Sequence, residues 1–417
     1  MLFQFFTFDP SLIEDVLFDI AAGNPFSSMW LVFKNGGWIV ILGAILRVAY
    51  KYYLYKAQGK FLSKVKWVLL AIDVPRNNEQ GPKAVENIFS HLAGAHGSSN
   101  WYQAKIAGES QLWFSLEIVS IDGYVQFMVR TPIQFRDLVE SAIYAQYPDA
   151  EIQEVDDYTQ YVPQRWPHPE YRMWGLEYKL FKPEAFPLRT HPEFEDKIAG
   201  EFKDPMAALM EALSALRKGE QVWIQYVITP VDDKWKDEAA LVVKKLIGAK
   251  IPDATPAWYV RIITLPFTLL GFVWAGITEN PASPEEKKKP ELPTMMMHMS
   301  PGEKDTVAAI ELKMTKIGFK TKVRFMYIAR NEVYAKPRGV GSIMGALKQY
   351  NSVNLNRFTP CKKVWTQAYY VFTKARIARR QNLLFKAYSL RSNWRGERPK
   401  GDILNLEELA SLWHFPV

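Results

Sequence analysis

The run Tyr369-Tyr370-Val371-Phe372-Thr373-Lys374-Ala375-Arg376-Ile377-Ala378-Arg379-Arg380 interleaves aromatic rings with fixed cations, and Arg391, Trp394 and Arg395 continue the pattern. Cations track phosphates while rings stack on bases, so this composition suits single-stranded nucleic acid. A basic helix facing an anionic lipid surface has the same composition. Lys374, Arg376, Arg379, Arg380, Arg391 and Arg395 are the residues expected to carry either role. The charge around them is lopsided. Lys313–Lys400 holds 21 Lys or Arg against two acids, Glu332 and Glu397, which leaves −11 for the remainder of a chain of net charge +8. A block of that sign meets polyanions, anionic lipid, an acidic partner surface, or only water.

Other chemistries lack their residues. No G-x-x-x-x-G-K-[ST] run is present, and Arg338–Gly345 is glycine-rich without the dinucleotide spacing, so it reads as a loop entering a helix. No Ser or Cys sits in a nucleophile elbow. The six histidines are scattered without H-x-x-H or H-E-x-x-H spacing, and the single Cys361 rules out an internal disulfide. The adjacent acids Asp156-Asp157 and Asp232-Asp233 read as turn residues. Neither catalysis, nor a metal, nor a cofactor is expected.

The elements that must position the basic run begin with Trp113–Val155. Trp113–Ile121 and Tyr124–Arg130 alternate about Asp122-Gly123, a hairpin turn of positive φ. Thr131-Pro132-Ile133-Gln134 reads as a capping box with proline at the first helical position, followed by Phe135, Leu138, Val139, Ala142 and Ile143 on one face. Ala150–Val155 returns as a strand. Upstream, Trp67–Val74 is a buried strand and Pro82 opens a helix with Val85, Ile88, Phe89 and Leu92 on one face. The order strand-helix-strand-strand-helix-strand predicts a ferredoxin-like domain over 64–160.

A second such pattern runs from 174 to 400. Trp174–Phe181 and Val222–Ile228 are strands around a helix capped by Asp204-Pro205. Trp235–Ile247 is a further helix. Ser300-Pro301-Gly302-Glu303 is another capping box, and Phe319–Ala329 a strand. Gly339–Tyr350 and Trp365–Arg380 read as helices, and Leu383–Leu390 as the last strand. The insertion 232–317 carries an apolar run at 258–277, basic on both flanks and expected to lie on a membrane face or to bind a partner, and a linker at 281–293.

The amino-terminal part reads as an amphipathic helix over 1–28 and a membrane anchor over 29–56, with a buried or interfacial helix as the competing reading of the second segment. Trp30, Trp38, Ile39, Ile41, Leu42, Ile45 and Leu46 are its candidate membrane residues, with Lys34 and Arg47 snorkelling. The cations Arg47, Lys51, Lys56, Lys60, Lys64 and Lys66 follow without an acid, which predicts a single-pass inner-membrane protein with its bulk in the cytoplasm. The fold class expected is therefore α+β, an N-terminal transmembrane helix followed by two ferredoxin-like domains, the second with a long insertion. At 401–417, Asn405 and Glu408 cap a short helix whose stripe of Leu406, Leu409 and Trp413 is expected either to dock a partner or to fold back on the core.

Three stretches carry a resemblance: Phe114–Ile118 with Arg130-Thr131-Pro132 through Tyr147-Pro148; Ile343–Asn351 with Asn354–Phe358; and Ile403–Pro416. They resemble the membrane-proximal region of a bacterial family related to type IV secretion and conjugative DNA-transfer ATPases of the HerA/TraG type. The last resembles the lead-in to the motor domain, and the motor itself is expected on a separate chain or not at all. The resemblance implies a non-enzymatic, membrane-anchored adaptor or scaffold whose hexameric ATPase is a separate chain. Its expected partners are the membrane, that ATPase, single-stranded DNA and further copies of itself. The alternatives are a tethered protein that binds single-stranded nucleic acid alone, or a structural part of an envelope assembly.

Overall fold

The computed structural model describes residues 38–75, 81–97, 100–195, 203–249, 299–396 and 401–416, with isolated positions between 26 and 34 and at 78 and 80. The expected helix over 1–28, apart from single positions near its end, and the segments 258–277 and 281–293 lie outside the described residues. The chain divides into one unit of residues 1–66 and 97–111 and another of 67–96 and 112–417.

The first unit is built on α1 (Trp38–Lys64), which contains no acidic residue. The segment 100–109 packs along it. The Tyr50 hydroxyl donates to the Lys105 carbonyl at 3.1 Å and the Tyr53 hydroxyl to the Ile106 carbonyl at 3.0 Å. Gly108 presses on Ala57 so closely that a Cβ there would lie 2.6 Å from the Ala57 Cβ, and its φ of +75° also demands glycine.

The transmembrane helix expected over 29–56 is corrected here. Among the described residues, no helix is long and apolar enough to cross a membrane. In α1 only Trp38–Leu46 precedes Arg47, a run of about 14 Å against a hydrocarbon core of about 30 Å. Lys51, Lys56, Lys60 and Lys64 then recur every four or five residues. Single-pass inner-membrane anchoring loses its basis, and so does the orientation drawn from it. Trp30, Trp38, Ile39, Ile41, Leu42, Ile45 and Leu46 are exposed side chains.

In the second unit all the described strands join one antiparallel sheet: β1 (Trp67–Asp73), β2 (Phe114–Ile121), β3 (Tyr124–Pro132), β4 (Glu151–Glu154), β5 (Tyr171–Leu180), β6 (Glu220–Pro230), β7 (Gly318–Arg330), β8 (Phe358–Pro360) and β9 (Asp402–Asn405). The order is β4-β1-β3-β2-β6-β7-β5-β8, with β9 paired to the start of β7. Two separate domains are therefore not what forms. β2 and β6, each the edge of its own half, pair along the whole of β2, from Phe114↔Ile228 to Ile121↔Gln221. The left half reads 4-1-3-2 and the right half repeats that order in mirror image about this seam. Pairing the two edges satisfies backbone groups that would otherwise be exposed to water.

One face of the sheet is covered by α2 (Pro82–Ala93), α3 (Arg136–Tyr144), α4 (Pro205–Ser214), α7 (Ile343–Leu347) and α9 (Leu406–Leu412), reached by a period-two set that includes Leu70, Leu116, Ile224 and Phe325. The other face packs Leu69, Val119, Trp223, Met326 and Ile328 against Leu384, Phe385 and Tyr388 of α8 (Thr373–Ser389). Gly175 in β5 admits this helix, because a Cβ there would meet the Leu384 Cδ2 at 2.7 Å and the Phe325 carbonyl oxygen at 2.6 Å. Beside β9 and the start of β7, α5 (Lys234–Leu246) and α6 (Pro301–Thr315) pack through Trp235, Ala239, Val243, Val307 and Ile310, with Ile403 in the same cluster and Gly318 against the Trp235 ring.

Two local readings change. Thr131 and Pro132 complete β3, with Thr131 buried opposite Val68, and the helix starts at Arg136 after a 3-10 turn without a capping box. Leu383–Leu390 is not a strand but the end of α8, whose buried Gln381, Leu384, Phe385 and Tyr388 recur at helical spacing.

Candidate functional site

Among the described residues of the second unit, the most exposed apolar stretch is the loop that enters α8. Tyr370 is 93% exposed and Phe372 80%, with Tyr369 and Val371 also open to water. Tyr370 (φ 68°) and Phe372 (φ 52°) both hold the left-handed conformation. For a bulky side chain that conformation costs on the order of 1–3 kcal/mol and calls for a local cause. The cause is a set of clamps. Arg376 Nη1 donates to the Tyr369 carbonyl at 2.9 Å, and Arg376 N–H donates to the Phe372 carbonyl at 3.0 Å. Arg380 Nη1 donates to the carbonyls of Trp365 and Gln367. Rings that folding would normally bury are thus held outward, beside the exposed Lys374, Arg376 and Arg379. Such a combination can stack on flat π systems and neutralise phosphates.

The remaining basic candidates divide. Arg395 is exposed, while its carbonyl accepts from Lys322 Nζ at 2.6 Å and Arg324 Nη2 at 3.0 Å. Arg380 is a structural clamp. Arg391 is fully buried and cannot reach a ligand. It forms a fork with Glu117, Nε to Oε1 at 2.9 Å and Nη2 to Oε2 at 3.1 Å, and also donates to Asp157.

That fork belongs to a polar row crossing four strands. Glu117, Gln225, Arg324 and Glu177 are successive register partners on β2, β6, β7 and β5. Gln225 Nε2 donates to Glu117 Oε1 at 3.0 Å, and Arg324 donates to Gln225 Oε1 at 2.8 Å and Glu177 Oε2 at 3.0 Å. Tyr158 and Ser115 hydroxyls complete the shell around Glu117. Burial pushes the Glu117 carboxyl up, but the Arg391 charge and these donors outweigh it and hold it below the usual carboxylate range. Burial, together with the Glu117 charge, drives the Tyr158 and Tyr388 phenols well up, and burial pulls the Lys322 ammonium down to about 8. The sequence carried no sign that these charges meet, since each reads singly as a surface residue. The row fixes α8 and residues 391–396 to the sheet.

A second cluster has the residue types of a hydrolase. Ser411 Oγ lies 3.3 Å from His191 Nδ1, and His191 Nε2 lies 3.4 Å from Glu86 Oε1. The serine cannot attack anything where it sits. It is wholly buried in α9, its hydroxyl donates to the Glu407 carbonyl at 2.6 Å, and it accepts the His191 N–H at 2.7 Å. Burial pulls His191 down to about 4, so it is neutral near pH 7. The cluster anchors α9, as do the buried Lys313–Glu408 pair at 2.9 Å and the His414–Asp204 contact at 2.9 Å.

The terminal helix answers the docking expectation. The Asn405–Glu408 capping box forms, but Leu406, Leu409 and Trp413 lie inside the core. The Trp413 ring centroid is 6.1 Å from Phe89 and 5.8 Å from Phe127. The stripe is sealed in the core and offers no surface through which a partner could dock. Among the described residues, no group of three or more His, Cys, Asp or Glu is placed to hold a metal ion.

The sequence profile of a family described as a domain of unknown function (DUF8128) matches residues 56–416, and the chain belongs to that family. No curated protein matches it.

Proposed function

We propose that this member of the DUF8128 family is a non-enzymatic adaptor that grips single-stranded nucleic acid at residues 369–379 for a transfer or secretion machine whose ATPase is a separate chain. The observation that carries this reading is the pair Tyr370 and Phe372, held outward by left-handed backbone next to Lys374, Arg376 and Arg379. Base–aromatic stacking contributes about 1–3 kcal/mol per base, so two rings and three cations make a sequence-tolerant grip. The Ser411–His191–Glu86 cluster, which has the residue types of a hydrolase, is closed on itself inside the core, which favours a binding role over a reaction.

Retention of the chain on an oligothymidine column tests this directly. The Tyr370→Ala/Phe372→Ala double variant should lose retention while keeping its circular dichroism spectrum. A second reading is a protein-docking adaptor, favoured by the four consecutive exposed side chains Tyr369–Phe372. In that case the double variant loses co-purification with the partner ATPase, and neither protein is retained by the oligonucleotide.

A further inference from the structure

We propose that the cleft between α1 and residues 106–109 is a binding site for a phosphate-bearing ligand with an apolar stem. The cleft has a volume of about 550 Å³, and Lys56, Lys60 and Lys64 stand along one wall with Glu109 opposite. The three lysines fall at four-residue spacing, so their ammonium groups share one stripe of the helix. From Asn35 to Ile72 the sequence has six cations and no acid, so α1 cannot pair its own charges. Like charges at i,i+4 destabilise a helix, and among the described residues no ion pair involves these three lysines. Lys56 Nζ lies over the Tyr52 ring at 5.0 Å, which leaves its charge, like those of Lys60 and Lys64, free to meet an anion in the cleft.

The charge balance sets the ligand class. Three ammonium groups facing one carboxylate leave two positive charges, the complement of a phosphate monoester dianion. Lysine acts as a hydrated point charge suited to phosphate. The rest of the lining, Tyr53, Ala57, Phe61, Ile106 and Ala107, is mostly apolar and fits the stem to which the phosphate is attached. The tyrosine hydroxyls that pin Lys105 and Ile106, and Gly108 seated on Ala57, make the wall a built one. A soluble organic phosphate and a lipid headgroup both present this chemistry.

The experiment titrates the full chain with phenyl phosphate, followed by phosphorus NMR, and in parallel with phosphatidylcholine vesicles with and without phosphatidic acid. Saturable binding of either probe is expected to fall by roughly tenfold or more per lysine in Lys56→Ala, Lys60→Ala and Lys64→Ala. Lys51→Ala, outside the cleft, should change little, and Glu109→Gln should tighten binding several-fold. Binding of phenyl phosphate identifies a soluble source, and binding only to phosphatidic acid vesicles identifies a headgroup. No saturable binding of either probe overturns the proposal. So does an equal loss in Lys51→Ala, which would reduce the effect to bulk charge. Because α1 and residues 369–379 are separate segments, either proposal can fail while the other stands.

Discussion

Glu117 and Arg391, 274 positions apart, close a two-point fork of 2.9 and 3.1 Å with both side chains fully buried. It ties the end of α8 to the strand at the centre of the sheet, and so sets where the exposed loop at the other end of that helix points. Removing one partner leaves the other charge buried and unpaired, so Glu117→Gln should cost about 3–5 kcal/mol in urea unfolding.

The same carboxylate gives a pH signature. Glu117 is held below the ordinary carboxylate value in the folded protein despite burial. Its contribution is complete above the unfolded value, about 4.3, and is lost as pH falls through the lower folded value. Urea midpoints followed downward from pH 6 should fall less steeply in Glu117→Gln than in the parent.

His191 works in a different window. Burial lowers its folded value to about 4, beneath the unfolded 6.5, so protonation favours unfolding. Stability is full above about 6.5 and declines as the pH drops towards 4. His191→Asn should remove that part of the slope. A proton titration of His191 by NMR with a midpoint near 6.5 would contradict the assignment.

Trp413 is a core residue rather than a docking anchor. Trp413→Ala should lower stability by about 3–5 kcal/mol, seen as a large fall in Tm. An unchanged Tm would return the terminal helix to the surface.

The strained loop predicts an opposed pair of effects. Tyr370→Gly relieves a left-handed tyrosine, so the Tm should hold or rise slightly. Affinity for oligothymidine should nonetheless fall. Loss of both together would mean that the ring packs rather than projects.

Much of the local structure was legible. Asp122 and Gly123 turn the β2–β3 hairpin with φ of 56° and 88°, and the boxes at Ser300–Glu303 and Asn405–Glu408 form as their spacing requires. What escaped was which edges meet. Ser115, Glu117 and Gln225 alternate with apolar residues along their strands, and in the sheet this polar set meets Arg324, Arg391 and Tyr388 beneath a helix. Periodicity reports a polar face and cannot say what covers it. The site divided in the same way. Lys374, Arg376 and Arg379 are exposed, while Arg391, in the same basic run, is sealed in the core. In α1 the aromatic and apolar composition outweighed the spacing of its cations.

The most direct test is the salt dependence of binding to single-stranded DNA, measured by fluorescence anisotropy with an oligothymidine probe. The account predicts a log–log slope of about −0.7 per phosphate neutralised, flattened by roughly two units when Lys374, Arg376 and Arg379 are all changed to alanine. A parent protein without saturable binding, or a triple variant with the parent's slope and affinity, would contradict it.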